Sequence, residues 1–354
     1  MIFPHSSFVK SYLTTRSLQP ENQESPIEHI RTDLVHPSLF YRRNHFTYPS
    51  FTSAYYWLPI RGLVEKPVCY SVQDLLRLPS RTIKAVLECA GNKRSLFEPK
   101  VFGEQWEKGA ITQGEWKGVS LRTLLRAAGL KDAAKEVVVE GYDYGERTDT
   151  DTVHTYARSL PLDQAMHPDT IVAYEYNSQP IPFKHGYPLR LIVPQWYAMS
   201  SVKWIKQIYV IDSAFEGPFQ SVDYVYYPYQ ESDEGAFPVT TMNVNSIIQK
   251  PSNMEVLNTG KHTIEGIAWS GEGLIKKVEI SIDGGSTWSD AKVIPAENYA
   301  WVKWAFDWTV PVKGEYTLMA KATDSGHRMQ PSTPFWNRKG YGYNAMEKVK
   351  VKVE

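Results

Sequence analysis

The alternation of apolar and polar residues after residue 238 restricts the fold of this chain more than any other feature. In KKVEISIDGGSTW, apolar residues occupy every second position from Val278 to an Asp-Gly-Gly turn, and GEYTLMAKATD repeats the pattern. Side chains in a strand alternate between its two faces, so a period of two indicates strands with one buried face. Short strands separated by turn residues predict an immunoglobulin-type β-sandwich over residues 239–354.

A mixed α/β region is predicted over residues 51–238, so the predicted fold class is α+β. The segments EVVVEG, TIVAYEY, LRLIVP and VKWIKQIYVI are predicted strands, several of them apolar enough to be buried on both faces. Two short helices are predicted: VQDLLRL, capped by Ser71, and VSLRTLLRAAGL, capped by Ser120 and ended by Gly129. Residues 1–50 are polar and proline-rich without a sustained period, and we expect them to form an extended N-terminal arm.

The charge and cysteine content exclude several classes of protein. Lys plus Arg and Asp plus Glu both number 39, so no net field attracts nucleic acid or an anionic membrane. No apolar run approaches the roughly 18–20 residues of a membrane span, and the N-terminus does not resemble a secretory signal. We therefore expect a soluble cytoplasmic protein. The two cysteines, Cys69 and Cys89, do not suggest a disulfide framework, and Cys69 is expected to be a buried structural thiol.

Cys89 stands at a corner of the chain, in the stretch VLECAGNKRS. A lone cysteine after an apolar run is most often a small buried hydrophobic residue. The neighbours favour another interpretation, because Gly91 permits a close backbone approach and Asn92 can bond a turn or a ligand. Lys93 and Arg94 would stabilise a thiolate, which is a soft metal ligand. No second cysteine or histidine pair has zinc-site spacing, so a metal at Cys89 would need its other ligands from a cofactor.

Five ordered motifs resemble one enzyme family. CAGNKRS resembles the cysteine motif of the sulfite oxidase family, the mononuclear molybdenum enzymes with a pyranopterin cofactor. The other matching segments are YRRNHFTYP, WEKGAITQGEWKGVSLRTLL, AYEYNSQPIPFKHGYPLRLIVP and SSVKWI. GIAWSGEG, VEISIDGGSTW and PFWNRKGYG resemble the family's C-terminal dimerisation domain. The resemblance covers residues 11–354 and implies the sulfite-oxidase fold followed by an immunoglobulin-like domain in a homodimer.

The resemblance also implies a set of site residues. Cys89 would bind molybdenum, which the dithiolene of molybdopterin would also hold. The residues implied to bind the cofactor are Arg43, Asn44, His45, His185, Arg190, Ser201, Val202 and Lys203. The implied substrate is sulfite or a similar small oxyanion, and its implied pocket residues are Arg43, Arg94, Trp106, Tyr224 and Lys339.

At two places the sequence departs from the family pattern, and the residue that takes the family's role there stays undecided. The family's Trp-Asn-x-Arg-Gly pattern has Lys339 at the arginine position here, with Arg338 one residue earlier. Either Lys339 serves as a point charge or Arg338 turns into the pocket. An acidic cofactor contact is also unassigned between Asp149 and Asp151.

The implied reaction is oxygen-atom transfer, in which sulfite becomes sulfate and two electrons leave to an external acceptor. The acceptor could be a cytochrome, a quinone or oxygen. The sequence has no Cys-x-x-Cys-His haem attachment and no haem-type His-Pro-Gly-Gly segment.

Two other functions stay open. A related molybdenum reductase of nitrate or a sulfoxide would use the same scaffold, and the Arg338-Lys339 departure keeps that alternative. Missing haem and flavin domains argue against a typical nitrate reductase, and the sandwich argues against a single-domain sulfoxide reductase. A non-catalytic immunoglobulin-like binding protein whose N-terminal domain has lost its cofactor is the third possibility. The retained Cys89, His185, Arg190 and Tyr224 argue against it.

Overall fold

The structure, a computed structural model, describes residues 13–52, 55–147, 149, 151–297 and 299–354. Residues 1–12 of the predicted arm therefore lie outside the described residues. The strands are β1 (Thr14–Leu18), β2 (Glu21–Glu24), β3 (Trp57–Gly62), β4 (Val68–Ser71), β5 (Ser80–Glu88), β6 (Ile111–Ser120), β7 (Glu136–Arg147), β8 (Thr152–Pro161), β9 (Ile171–Tyr176), β10 (Gln179–Pro180), β11 (Arg190–Ile192), β12 (Ile205–Ile211), β13 (Val225–Tyr226), β14 (Phe237–Pro238), β15 (Asn245–Lys250), β16 (Glu255–Leu257), β17 (Gly260–Trp269), β18 (Ile275–Ser281), β19 (Ser289–Asp290), β20 (Lys292–Ile294), β21 (Val302–Val310), β22 (Gly314–Asp324) and β23 (Lys348–Val353). The α-helices are α1 (Val72–Arg77), α2 (Leu121–Ala128), α3 (Leu162–Ala165) and α4 (Pro218–Ser221). Single 3-10 turns cover Ile27–His29, Pro37–Leu39, Arg94–Leu96, Phe183–His185 and Ala198–Ser200.

The described part of the predicted arm packs against the rest of the chain. β1 and β2 form an antiparallel hairpin, and the two 3-10 turns follow it. Ile27, Ile30 and Val35 are buried in the main apolar core. Irregular backbone lacks a fixed side-chain period, so its buried residues produce no pattern that the sequence reveals. The division of the chain at residues 50 and 238 stays a prediction.

Two sheets form the mixed α/β region. The first has the order β10-β9-β6-β5, with β11 paired to β9. The second has the order β4-β3-β12-β7-β8, in which β12 runs parallel to β3 and antiparallel to β7. Val86, Leu124 and Val139 belong to one shared core. The four predicted strands are confirmed as β7, β9, β11 and β12.

The two predicted helices form, but only one has the predicted side-chain cap. Ser71 Oγ accepts a hydrogen bond from the Asp74 amide at 3.1 Å, and the Asp74 carboxylate accepts from the Ser71 amide at 2.9 Å. Ser120 Oγ is buried without a partner among the described residues, so its predicted capping bond is wrong. Ser120 is the last residue of β6 and its backbone pairs with Ile171 of β9, while the Leu121 amide donates to the Thr170 carbonyl at 2.8 Å. Gly129 ends the helix as predicted, with a φ of 72°.

The predicted β-sandwich is confirmed. One sheet has the order β15-β17-β21-β20 and the other the order β16-β23-β22-β18-β19. Val278, Ile280 and Leu318 lie in the core between them, as their alternation predicts. Ile247 and Trp269 of the sandwich belong instead to the core of the mixed region, so the two regions share apolar contacts.

Cys69 is exposed, so the prediction of a buried thiol is wrong. It lies on β4, an edge strand, between Val68 and Tyr70, which pack against the core. Because adjacent side chains in a strand point to opposite faces, Cys69 faces the solvent. In the part of the chain described here, no helix has the length and apolar character needed to cross a membrane.

Candidate active site

A cavity in the mixed region brings together residues that are far apart in the sequence. Its empty space is about 610 Å³, part of which is open to solvent at the mouth. The predicted site residues that line it are Arg43, Asn44, His45, Cys89, His185, Arg190, Ser201, Lys203 and Tyr224. The irregular backbone before β3 and the turns beside β11 and β12 therefore supply the walls.

Cys89 follows β5 directly, and its side chain faces this cavity from a buried position. Its amide donates to the carbonyl of Ala110 at 2.9 Å, which holds the corner against β6. Burial raises the pKa of the thiol, and the nearby Arg43 and Arg94 act in the opposite direction. Among the described residues no group of three His, Cys, Asp or Glu side chains could hold a metal ion. A metal at Cys89 would therefore take its remaining ligands from a bound group.

Contrary to the prediction, Lys93 does not face the Cys89 thiol. Its side chain is fully buried and turns into the sandwich, where Nζ donates to Asn245 Oδ1 and to the Ser246 carbonyl, each at 2.8 Å. Glu347 lies 3.7 Å from the same ammonium. The prediction that Lys93 stabilises the thiolate is therefore wrong, because its charge is used between the two domains.

Other contacts hold the cysteine corner to the sandwich. The Trp269 indole donates to Glu88 Oε2 at 2.8 Å, and the Gly342 amide donates to the Ala90 carbonyl at 2.8 Å. The position of Cys89 therefore depends on residues more than 150 positions away in the sequence.

Arg94 lies close to the same corner without lining the cavity. Its Nε donates to the carbonyls of Lys339 at 3.1 Å and Gly340 at 3.2 Å, and Nη1 donates to the Glu104 carbonyl at 3.1 Å. A Cβ at Gly91 would lie 2.7 Å from the guanidinium, so a larger residue there would displace Arg94. Carbonyl oxygens accept from Nε and Nη1 of Arg94, and among the described residues no carboxylate pairs with its charge.

Buried cations without an ion pair among the described residues are the main electrostatic feature of the site, although the charge of Asp143 acts on Lys203 from a greater distance. Arg190 Nη1 donates to the His185 carbonyl at 3.0 Å, while its Nε has no partner among the described residues. Lys203 Nζ donates to the Arg43 carbonyl at 3.0 Å and to Asn44 Oδ1. In the described ranges, none of these cations nor Arg94 forms an ion pair with a carboxylate. Burial lowers the pKa of Arg190 to about 10, which shows how costly its charge is here.

Two histidines and their aromatic neighbours form another wall. Tyr224 Oη lies 2.7 Å from His45 Nε2, and Arg43 lies 3.3 Å from both ring nitrogens of His45. Burial and the nearby Arg43 hold the pKa of His45 well below its usual value, so the ring is neutral. In the tautomer with a proton on Nε2, Nδ1 accepts from Arg43 and Nε2–H donates to Tyr224, which leaves the Tyr224 hydroxyl proton free. His185 stacks on Phe40 with ring centroids 4.0 Å apart.

Besides Arg94, three predicted residues lie outside the cavity lining. Trp106 is completely buried in a cluster with Cys89, and its indole nitrogen lacks a partner among the described residues. Val202 is buried in the main core. Lys339 Nζ lies 3.8 Å from Asp223, the residue before Tyr224.

Arg338 turns away from this region. Its guanidinium bonds to Asp233 and lies 4.1 Å from the ring centroid of Tyr227. Of the two adjacent cations, Lys339 is therefore the one whose charge lies beside Asp223.

The cavity contains residues that the sequence did not indicate: Phe40, Tyr41, Asp143, Tyr156, Lys184, Ala198 and Met199. Asp143 is the acidic residue at the cavity, and burial raises its pKa. Neither open candidate lines the cavity, because Asp149 bonds to Arg147 and Asp151 is exposed. One indication of Asp143 was present in the sequence: it is a polar residue within β7, a strand that begins as an apolar run.

The donors of the cavity fit a polyanionic group with soft metal ligation. Arg190 and Lys203 are buried cations with spare capacity, and Asp143 Oδ1 lacks a partner among the described residues. A buried charge is stable only when an opposite charge or strong hydrogen bonds accompany it. A phosphate would supply that charge, and a heteroaromatic ring would suit the adjacent aromatic wall.

Comparison with known proteins identifies two matching families. Residues 45–219 match the family described as Oxidoreductase molybdopterin binding domain, and residues 236–354 match Mo-co oxidoreductase dimerisation domain. The mitochondrial sulfite oxidase of Mus musculus is 33% identical over 96% of this chain and 66% of its own length. The sulfite oxidase of Arabidopsis thaliana is 31% identical over 93% of this chain and 91% of its own length.

A solved structure also matches nearly the whole fold. It is the sulfane dehydrogenase SoxCD from Paracoccus pantotrophus, with a TM-score of 0.84 and 29% sequence identity. The match covers 96% of this chain and 86% of that chain. The chain spans just under two thirds of the length of several mitochondrial relatives.

Proposed function

Because this chain belongs to the sulfite oxidase family of molybdopterin oxidoreductases, we propose that it oxidises sulfite to sulfate and passes two electrons to an external acceptor. The observation that carries this proposal is the buried Cys89 thiol, set beside several buried cations without carboxylate partners in the described residues. A soft metal ligand beside uncompensated positive charge suits a metal-bound reaction of a small oxyanion.

The residues of the cavity would divide the work between cofactor and substrate. Cys89 would bind the molybdenum, while Arg190, Lys203 and His185 would bind the anionic part of molybdopterin. When bound, this cofactor would supply the oxygen-transfer and redox chemistry. Asn44, Ser201 and Asp143 offer further polar contacts from the same walls.

Arg43 and Arg94 would bind the sulfite oxygens. A guanidinium presents donors in a fixed fork that suits an oxyanion, and burial strengthens the interaction. Tyr224 would donate its free hydroxyl proton to the same anion, since His45 satisfies the phenol oxygen. Two predicted pocket residues would act from outside the cavity. Trp106 would pack against the site, and Lys339 would contribute a partly screened positive charge.

The proposed assembly is a homodimer formed through the sandwich domain. The match to the dimerisation family supports it. A sedimentation experiment that gives a 40.5 kDa species would contradict the dimer. The cytoplasmic location, and a cytochrome, quinone or oxygen as acceptor, stay predictions from the sequence.

Elemental analysis and a substrate screen test the function. Purified holoenzyme should contain about one molybdenum per chain and reduce ferricyanide only when sulfite is added. Nitrate reduction by a reduced dye, without sulfite oxidation, would instead assign the chain to a molybdenum reductase. Protein matured in a competent host that contains neither molybdenum nor pterin would reject both.

A further inference from the structure

Two buried guanidinium groups bracket a stacked pair of tyrosines beside the cavity. The Arg158 guanidinium lies 5.4 Å from the ring centroid of Tyr224. Tyr224 stacks on Tyr341 with centroids 5.3 Å apart and planes inclined by 30°. The Arg94 guanidinium lies 5.0 Å from the ring centroid of Tyr341. We call these four side chains the Arg–Tyr–Tyr–Arg stack; the comparisons and the family motifs assign no role to Arg158 or Tyr341.

Arg158 carries a buried charge that forms no ion pair among the described residues, and Asp223 acts on it only from a distance. It lies on β8 and is 2% exposed. Its Nη1 donates to the Phe219 carbonyl, and its Nε has no partner among the described residues. Within those residues no carboxylate lies within ion-pair distance, and Asp223 is already bound by Arg147 at 2.6 Å. Burying such a charge lowers stability, so a role in the site would explain its presence.

The stack reaches the cavity through Tyr224. Tyr224 lines the cavity, whereas Arg158 and Tyr341 stand behind it. A cation within about 6 Å of a ring face withdraws electron density from the ring. For a phenol, this makes the hydroxyl a stronger hydrogen-bond donor. Tyr341 comes from the sandwich and stacks on Tyr224, so residues of both domains contact the ring.

We propose that Arg158 and Tyr341 are positioning residues that hold Tyr224 and strengthen its hydrogen bond to the substrate oxyanion. The proposal deepens the proposed sulfite oxidation and rests on it for the identity of the substrate. Arg158 adds a buried positive charge behind the phenol, and Tyr341 fixes the plane of the ring. A purely structural role for Arg158 predicts a loss of stability instead, with no dependence on the Tyr224 hydroxyl.

A double-mutant cycle on the holoenzyme separates these roles. Arg158→Met should raise the KM for sulfite about tenfold, near the upper range of one cation–π contact, and change kcat less. Tyr224→Phe should remove most of this effect, so that Arg158→Met adds little to it. Arg158→Lys should restore part of the affinity. An equal loss in both backgrounds, or an unchanged KM in Arg158→Met, would overturn the proposal.

Two further variants distinguish an effect of the stack from misfolding of Arg158→Met. Tyr341→Leu should raise KM in the same non-additive way while leaving Arg158 in place, and an additive effect counts against the stack. Lys321→Met is the matched control, since it removes a cation that lies 4.3 Å from the Trp288 ring in the sandwich. KM should not change in that variant, and an equal rise there would show that the effect is not specific to the stack.

Anion binding distinguishes failure of the stack from failure of the proposed function. If the wild-type holoenzyme does not oxidise sulfite, the proposed function fails. The role of the stack is then tested only by the binding of sulfate. Sulfate should raise the melting temperature of the wild type, and Arg158→Met should need about tenfold more sulfate for the same rise. Equal sulfate dependence in the two proteins would overturn the stack. Without sulfate, Arg158→Met should melt no lower than the wild type, because it removes an unpaired buried charge.

Discussion

At the scale of single residues, the two cysteines have opposite environments and should respond differently to the same substitution. Cys89→Ser should reduce sulfite turnover to background, because a hydroxyl is a poor replacement for a soft thiolate ligand. Cys69→Ser should leave turnover unchanged, since that thiol is exposed on an edge strand. Steady-state kinetics and circular dichroism of both variants provide the measurement. Wild-type turnover in folded Cys89→Ser would remove Cys89 from the mechanism.

The adjacent cations Arg338 and Lys339 provide a second matched pair. Lys339→Ala should raise the KM for sulfite about threefold at low salt, with a smaller effect at high salt where its charge is screened. Arg338→Ala should not change KM, because its guanidinium bonds to Asp233 and packs on Tyr227. Kinetics at two ionic strengths test both. A larger effect at Arg338 would mean that this arginine turns into the pocket during catalysis.

At the scale of secondary-structure elements, the two serines that precede helices should contribute unequally to stability. Ser71→Ala should lower the free energy of unfolding by about 1 kcal/mol, because it removes a reciprocal capping box. Ser120→Ala should cost less than about 0.5 kcal/mol, since its hydroxyl makes no hydrogen bond in the described structure. Urea titrations of both variants provide the comparison. Equal losses would mean that Ser120 caps its helix in solution.

At the scale of the whole molecule, the buried Lys93 joins the cysteine corner to the sandwich. Lys93→Met should lower the melting temperature by roughly 5–10 °C, because it leaves Asn245 without its charged partner and Glu347 with Lys108 alone. The shared core predicts one calorimetric transition for both domains. Lys352→Met is the control, since its ion pair with Glu354 is exposed. Two separate transitions, with only one shifted, would contradict the coupling.

Local motifs predicted the residues near Cys89, His185 and Arg190, because each lies in a short segment whose spacing is visible in one stretch of sequence. Asp143 was missed, since a single polar residue in an apolar strand does not indicate which cavity it faces. Arg158 and Tyr341 were missed for a stronger reason. They meet at Tyr224 across domains, and no local period records a contact between residues so far apart in the chain.

The sequence by itself determined the two-part architecture, most strands and the residue types of the site, because alternation, turn residues and motif spacing are local properties. Tertiary structure decided which cations face the cavity and which serve elsewhere. Lys93 and Arg94 are adjacent in sequence, yet one anchors the sandwich and the other stands beside the cavity. The physical reason is that burial and partner choice depend on the whole packed chain, and these determine whether a charge is compensated or left available for a substrate.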